Sequence, residues 1–148
     1  MTSVEKPTSE TAKVIETLNT ILELELAGVV RYTHYSFMIF GHGRIPIVGW
    51  LRAQAEESLA HATLAGEHVT TLGGYPSLLI GELLDTHTQK VDEILNEALA
   101  HERLGLDAYS SLLKQVAGKN IMLEEYARAQ IAAEEQHQAE IRKMLRRS

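Results

Sequence analysis

The sequence contains no cysteine and only three prolines among its 148 residues. The lack of cysteine excludes disulfides, thiolate nucleophiles, iron–sulfur clusters and zinc sites with cysteine ligands. Long apolar runs are also missing, since they are interrupted by Arg31, His34 or glycine, and Met1 to Glu10 has no apolar stretch of signal-peptide type. The net charge of −6 disfavours general binding to nucleic acid. We therefore expect a cytoplasmic protein that does not span a membrane.

Basic residues are concentrated only at the end of the chain, at Arg142, Lys143, Arg146 and Arg147. Cations at the C-terminus of a helix interact favourably with the negative end of its dipole, and we prefer this interpretation. The alternative is a tail that contacts DNA.

The length suits a single domain over residues 1–148, with residues 1–8 as an N-terminal arm. Helical periodicity and glycine breakers predict no strand and four helices. These run from about Ser9 to Phe40 with Thr8 or Ser9 as N-cap, Pro46 to Leu72, Asp85 to Ala117, and Ile121 to Arg147. Short turns inside each helix pair and a longer connector at 75–84 predict an all-α four-helix bundle with a crossover.

The apolar stripe of three of these helices is interrupted near its middle by a glutamate: Glu25, Glu102 and Glu134. On the second helix His61 lies on the apolar face at a similar height, and His137 follows Glu134 on the fourth stripe. Because the midpoints of neighbouring helices meet in a bundle, these side chains should converge in one layer of the core.

Three buried carboxylates require positive charge nearby. No lysine or arginine shares the layer unless Arg31 or Arg103 bends in from a flank. A pair of divalent cations would balance the charge, and carboxylate with imidazole favours iron or manganese over structural zinc. The only Glu-x-x-His motif, Glu134 to His137, is weak alone, because 17 glutamates and seven histidines give roughly 0.8 chance matches.

Several stretches match a known pattern. They are Leu18-Asn19 with Leu22, Glu25-Leu26 and Tyr32, then His61 with Leu72-Gly73-Gly74-Tyr75-Pro76, Glu102 with Gly105, and Glu134-Glu135-Gln136-His137. Together they resemble the bacterioferritin branch of the ferritin-like superfamily, from about Leu18 to Leu145. The resemblance implies a ferritin-like bundle, a homo-oligomer, and two iron ions that manganese or zinc could replace in the isolated protein.

Carried over to this sequence, the resemblance implies metal ligands at Glu25, His61, Glu102, Glu134 and His137. Glu102 would be among the bridging ligands. The resemblance further implies that Tyr32 lies beside the metals as a catalytic hydrogen-bond or electron donor.

The sequence departs from the family pattern in three places. Ser58 stands where the family has a ligating glutamate, and Glu57, roughly 40° round the helix from His61, could replace it by a side-chain swing. The alternative is a site lacking one bridging ligand. Leu59 stands where the family has its haem-ligating methionine, so no haem is expected. The chain ends eleven residues after His137, so the fifth helix of 24-subunit cages is not expected.

The leading functional hypothesis is a ferroxidase that oxidises Fe²⁺ with O₂ or H₂O₂, inside an apolar shell of Leu22, Val29, Leu106 and Ile131, for iron storage or detoxification. One alternative is a di-iron oxygenase or peroxidase acting on an organic substrate in a pocket beside small residues at that layer. Others are a miniature ferritin that protects DNA, and a bundle whose metal site has decayed.

The remaining histidines receive structural interpretations. We expect His68 to be partly buried rather than an accessory iron ligand, and His101 to lie on the surface. No role is assigned to His34, His42 or His87. Trp50 and Tyr35 are interpreted as packing or subunit-interface residues.

Overall fold

In a computed structural model, residues 6–146 are described and form four α-helices. These are α1 (Ser9–Phe37), α2 (Arg44–Thr71), α3 (Val91–Val116) and α4 (Ile121–Leu145). No strand occurs within residues 6–146, so the predicted all-α fold is confirmed. Among the same residues, no helix is both long and apolar enough to cross a membrane. Arg147 and most of the predicted arm lie outside the described residues.

The helix ends follow local sequence chemistry. The Thr8 side chain caps α1 by accepting a hydrogen bond from the Thr11 backbone N–H at 3.2 Å, as predicted. Asn120 caps α4 in the same way, with Leu123 as donor at 3.0 Å. Pro46 lies in the first turn of α2, which begins two residues earlier than predicted, at Arg44.

The predicted start of α3 at Asp85 is wrong, because the helix begins at Val91. The Thr88 hydroxyl accepts a hydrogen bond from the Lys90 backbone N–H at 3.2 Å and donates one to the Glu93 carboxylate. Threonine side chains that bond to nearby groups compete with helical hydrogen bonding. These bonds therefore keep the residues before Val91 out of the helix, whose N-cap residue is Lys90.

The segment that joins α2 to α3, residues 72–90, lies along α1 and makes the predicted crossover. Hydrogen bonds attach it to α1 at several points, among them Ser77 N–H to Asn19 Oδ1 at 2.8 Å, Gly81 N–H to the Glu23 carbonyl at 2.8 Å, and Arg31 Nη2 to the Glu82 carbonyl at 2.7 Å. A Cβ atom at Gly81 would lie 3.1 Å from the Glu23 carbonyl oxygen. Glycine therefore allows the close approach of this connector to α1.

The apolar core is divided into two clusters. One includes Leu18, Ile21, Ala65, Tyr109, Leu112 and Leu123, and the other includes Tyr32, Ile39, Leu51, Leu95, Ala98 and Ile141. In sequence, the interrupting glutamate of α1, α3 and α4 falls between the residues of the two clusters on that helix. The polar layer is consequently bounded by apolar packing at both ends.

Candidate metal centre

The polar layer consists of side chains that all four helices contribute. Glu25, Glu102 and Glu134 are only 7%, 6% and 2% exposed, and His61 is 9% exposed. His137 is half-buried, with its side chain 19% exposed. The three carboxylates and His61 therefore lie in the core, as the periodicity predicts.

The ligand-bearing atoms form two groups of three. Glu25, His61 and Glu134 offer atoms that lie within 4.8 Å of one another, and so do Glu102, Glu134 and His137. Glu134 belongs to both groups. This arrangement corresponds to two metal positions that share one carboxylate. Glu134 is therefore the carboxylate common to both groups, and the bridging role of Glu102 that the resemblance implies stays a prediction.

Glu25 and His61 form one side of the layer. His61 Nδ1 lies 3.3 Å from Glu25 Oε2. Burial raises the pKa of Glu25, although its contact with His61 opposes the shift. Burial alone would lower the pKa of His61, but the contact with Glu25 and the charges of Glu25 and Glu57 together outweigh it and raise the pKa.

Glu102 is the carboxylate that stays ionised. The Tyr32 hydroxyl donates a hydrogen bond of 2.5 Å to Glu102 Oε1, and His137 Nδ1 lies 3.9 Å from Glu102 Oε2. Burial would raise the pKa of Glu102, but its contacts with His137 and Glu134 and the hydrogen bond from Tyr32 lower it to about 2. Burial, followed by the Glu102 charge, raises the pKa of Tyr32 well above its ordinary value. Tyr32 is thus a hydrogen-bond donor to this group.

Glu134 shows most directly that the layer lacks positive charge. Burial and then the neighbouring Glu102 raise its pKa from 4.5 to about 11, and Glu134 Oε2 is buried without a hydrogen-bond partner among residues 6–146. Such an atom is costly unless a proton or a cation is nearby. Three carboxylates and two imidazoles, with one orphaned oxygen between them, fit a pair of iron or manganese ions.

Glu57 points towards this centre although Ser58 occupies the expected ligand position. Glu57 Oε2 lies 3.0 Å from His137 Nε2, and Glu57 Oε1 lies 3.7 Å from His61 Nε2. The Glu57 side chain is 40% exposed, so it stands at the solvent edge of the layer. Its ligand role stays a prediction.

Comparison with known proteins is consistent with this geometry. The sequence model of the ferritin-like domain family matches residues 15–148. The chain belongs to the ferritin-like family. No curated protein matches its sequence significantly.

Solved structures share this ferritin-like fold at low sequence identity. A ferritin-like di-iron carboxylate protein from Bacillus anthracis is 24% identical, with a TM-score of 0.88, over 94% of this chain and 99% of that chain. A dodecameric, bacterioferritin-related thioferritin from Bacteroides fragilis is 22% identical, with a TM-score of 0.83, over 91% of this chain and 85% of that chain. The bacterioferritin of Rhodobacter capsulatus is 24% identical, with a TM-score of 0.83, over 90% of this chain and 84% of that chain.

The prediction that His101 lies on the surface of this ferritin-like bundle is wrong. His101 is buried, because Gly28 of α1 has no side chain at the place where α3 approaches. A Cβ atom at Gly28 would lie 3.2 Å from His101 Nε2 and 2.9 Å from Ser58 Oγ. Burial lowers the pKa of His101, which favours the neutral ring beside the polar layer.

The remaining residues surround the centre without entering it. Arg31 is buried, but its guanidinium donates to the carbonyl of Glu82 in the connector, and Arg103 is exposed. His68 packs its ring against Tyr126 with the ring centroids 4.3 Å apart, as expected of a partly buried histidine. Neither arginine therefore replaces a metal as the counter-charge of the carboxylates.

Proposed function

We propose that this protein is a ferroxidase that binds two Fe²⁺ ions within one chain and promotes their oxidation. The observation that carries the proposal is the pair of three-ligand groups that share Glu134 in a buried layer. Glu25 and His61 would hold one metal position, and Glu102 and His137 would hold the other. Bound iron supplies the redox chemistry, in which each Fe²⁺ gives one electron to O₂ or H₂O₂ and becomes Fe³⁺.

Each protein group has a distinct part in this function. Glu134 must lose its proton before it can bridge two cations, because its pKa is about 11 in the metal-free site. Tyr32 orients Glu102 through their hydrogen bond. The apolar clusters on both sides keep water and side reactions away from the layer.

Glu57 would complete the ligand set from the solvent edge. Its carboxylate already reaches both imidazoles, and its partial exposure allows it to meet incoming Fe²⁺. We therefore assign Glu57 as the sixth ligand residue, in place of the glutamate that the family has where this chain has Ser58.

Anaerobic loading with excess Fe²⁺, followed by desalting and a metal count, tests the proposal. About two iron atoms per chain, oxidised when O₂ is admitted, would support a ferroxidase. About one per chain would mean that the second metal position is lost because position 58 carries serine, and none would refute the proposal. The same metal count on Glu134→Gln tests the ligand that the two groups share. Glu135→Gln is its matched control, because Glu135 is the exposed neighbour on the same helix.

A homo-oligomer would extend this function to iron storage. Large apolar side chains are exposed on the connector, with Tyr75 at 89%, Leu78 at 100% and Leu79 at 68%. Patches of this kind mark interaction surfaces, and the thioferritin from Bacteroides fragilis is a dodecamer. Light scattering on the purified protein tests whether it forms a shell, and a monomer would rule out storage in a cavity.

A further inference from the structure

A second group of metal-binding side chains lies outside the candidate centre, between α1 and the connector. His34 is in the last turn of α1 and His87 precedes α3. His34 Nε2 and His87 Nδ1 are 3.3 Å apart, and their rings meet edge to face with centroids 5.2 Å apart. We propose that these two histidines bind a divalent transition-metal ion of the zinc class, independently of the function proposed above.

The distance between the two nitrogens suits a shared metal. Zinc–imidazole bonds of about 2.0–2.1 Å at a tetrahedral angle place the two nitrogens about 3.3–3.4 Å apart. The observed separation of 3.3 Å between His34 Nε2 and His87 Nδ1 equals the distance that a shared ion requires. Two imidazoles without thiolate favour Zn²⁺, Cu²⁺ or Ni²⁺ among divalent ions.

An acidic residue, Asp85, lies beside His87. Asp85 Oδ1 lies 3.6 Å from His87 Nε2, the ring nitrogen that faces away from His34. This separation is too long for a hydrogen bond. Asp85 therefore adds negative charge near the ion but does not fix the orientation of the His87 ring.

The surroundings define how the ion would be held. A cavity of about 160 Å³ adjoins both histidines and is walled by Val30, Leu83 and Leu84. Arg31 also lines it, but its guanidinium donates to the Glu82 carbonyl at 2.7 Å. His87 is exposed, so water can fill the remaining coordination positions. An ion here would tie the end of the connector to α1.

Equilibrium dialysis of the metal-free protein against Zn²⁺ tests the proposal, using wild type, His34→Ala and His87→Ala. Because zinc can also enter the core site, the measured quantity is the difference between proteins. Each variant should bind about one Zn²⁺ per chain less than wild type. His42→Ala is the matched control, since His42 is an exposed histidine in the turn after α1, and it should bind as wild type does.

Two readouts separate a metal site from a simple hydrogen bond between the rings. Cu²⁺ added to wild type should give an electron paramagnetic resonance component with couplings to two nitrogens, and both alanine variants should lose this component while keeping any signal from the core histidines. Zn²⁺ should also slow proteolysis of the connector in wild type and in His42→Ala only. Equal zinc counts in all four proteins, or loss in one histidine variant without the other, would overturn the shared site. Circular dichroism checks that each variant keeps its helices.

Discussion

Replacing Glu134 by glutamine should make the metal-free protein more stable and should flatten the pH dependence of its stability. Between pH 6 and 8 the unfolded chain has Glu134 ionised, whereas the folded chain keeps the proton because the pKa is about 11. Unfolding therefore releases this proton, and the free energy of unfolding falls as pH rises. This group alone gives a slope of about 1.4 kcal/mol per pH unit, or about 2.7 kcal/mol between pH 6 and 8.

Glutamine isolates this contribution. The amide has the shape and the zero charge of the protonated carboxyl, and the ionised Glu102 can accept a hydrogen bond from it. His61 and His137 also have raised pKa values, and their contribution likewise falls as pH rises, but both proteins share it. At pH 7 the variant avoids the cost of protonating Glu134, which is about 3 kcal/mol.

Urea unfolding of chelator-treated protein at pH 6, 7 and 8, at one protein concentration, measures the effect. Wild type and Glu135→Gln should lose stability with pH more steeply than Glu134→Gln, by about 1.4 kcal/mol per pH unit. Parallel slopes for all three proteins would refute the assignment of a protonated Glu134 and the shortage of positive charge in the polar layer.

Three further predictions follow from the same geometry. Tyr32→Phe removes the hydrogen bond to a metal ligand, so the bound-iron count should stay the same while oxidation after O₂ addition slows by about tenfold or more. Glu57→Gln should weaken iron binding by about tenfold or more in a titration, whereas Glu56→Gln, on the exposed face, should not. Gly28→Ala should destabilise the protein by about 1–3 kcal/mol in thermal unfolding, because its Cβ would lie 2.9 Å from Ser58 Oγ. Gly66→Ala meets no atom within 4 Å and should instead stabilise α2 by about 0.5–1 kcal/mol; equal effects at the two glycines would contradict the packing described.

The core stripes could be predicted from the sequence because a helix converts spacing into direction. Each interrupting glutamate follows apolar residues at steps of three and four, so the same rule that buries Leu18 also buries Glu25. The height of the layer followed from helix length alone. Sequence spacing could not show which carboxylate is shared, since that depends on how α4 is seated against the other helices.

Features that depend on contacts between elements could not be predicted. His101 lies one residue from the stripe and is buried only because Gly28 leaves room across the helix pair. The pairing of His34 with His87 depends on the path of the connector along α1, for which no periodicity exists. In both cases a glycine in the sequence indicated that another element could approach closely. Gly28 lies on a stripe at the height of the carboxylates, and Gly81 lies in the connector where it meets α1.

The packing of α1 against α2 gives a structural reason for the serine at position 58 and the glutamate at position 57. Ser58 faces Gly28, and the space beside its hydroxyl is taken by the backbone of α1 and the ring of His101. A small side chain at position 58 therefore permits the close approach of α1 and α2. The next residue round the helix, Glu57, then reaches His61 and His137 from the solvent side. Under the proposed function, the second helix would supply its carboxylate from the edge of the layer, and the centre would have six ligand residues, of which Glu57 is open to solvent.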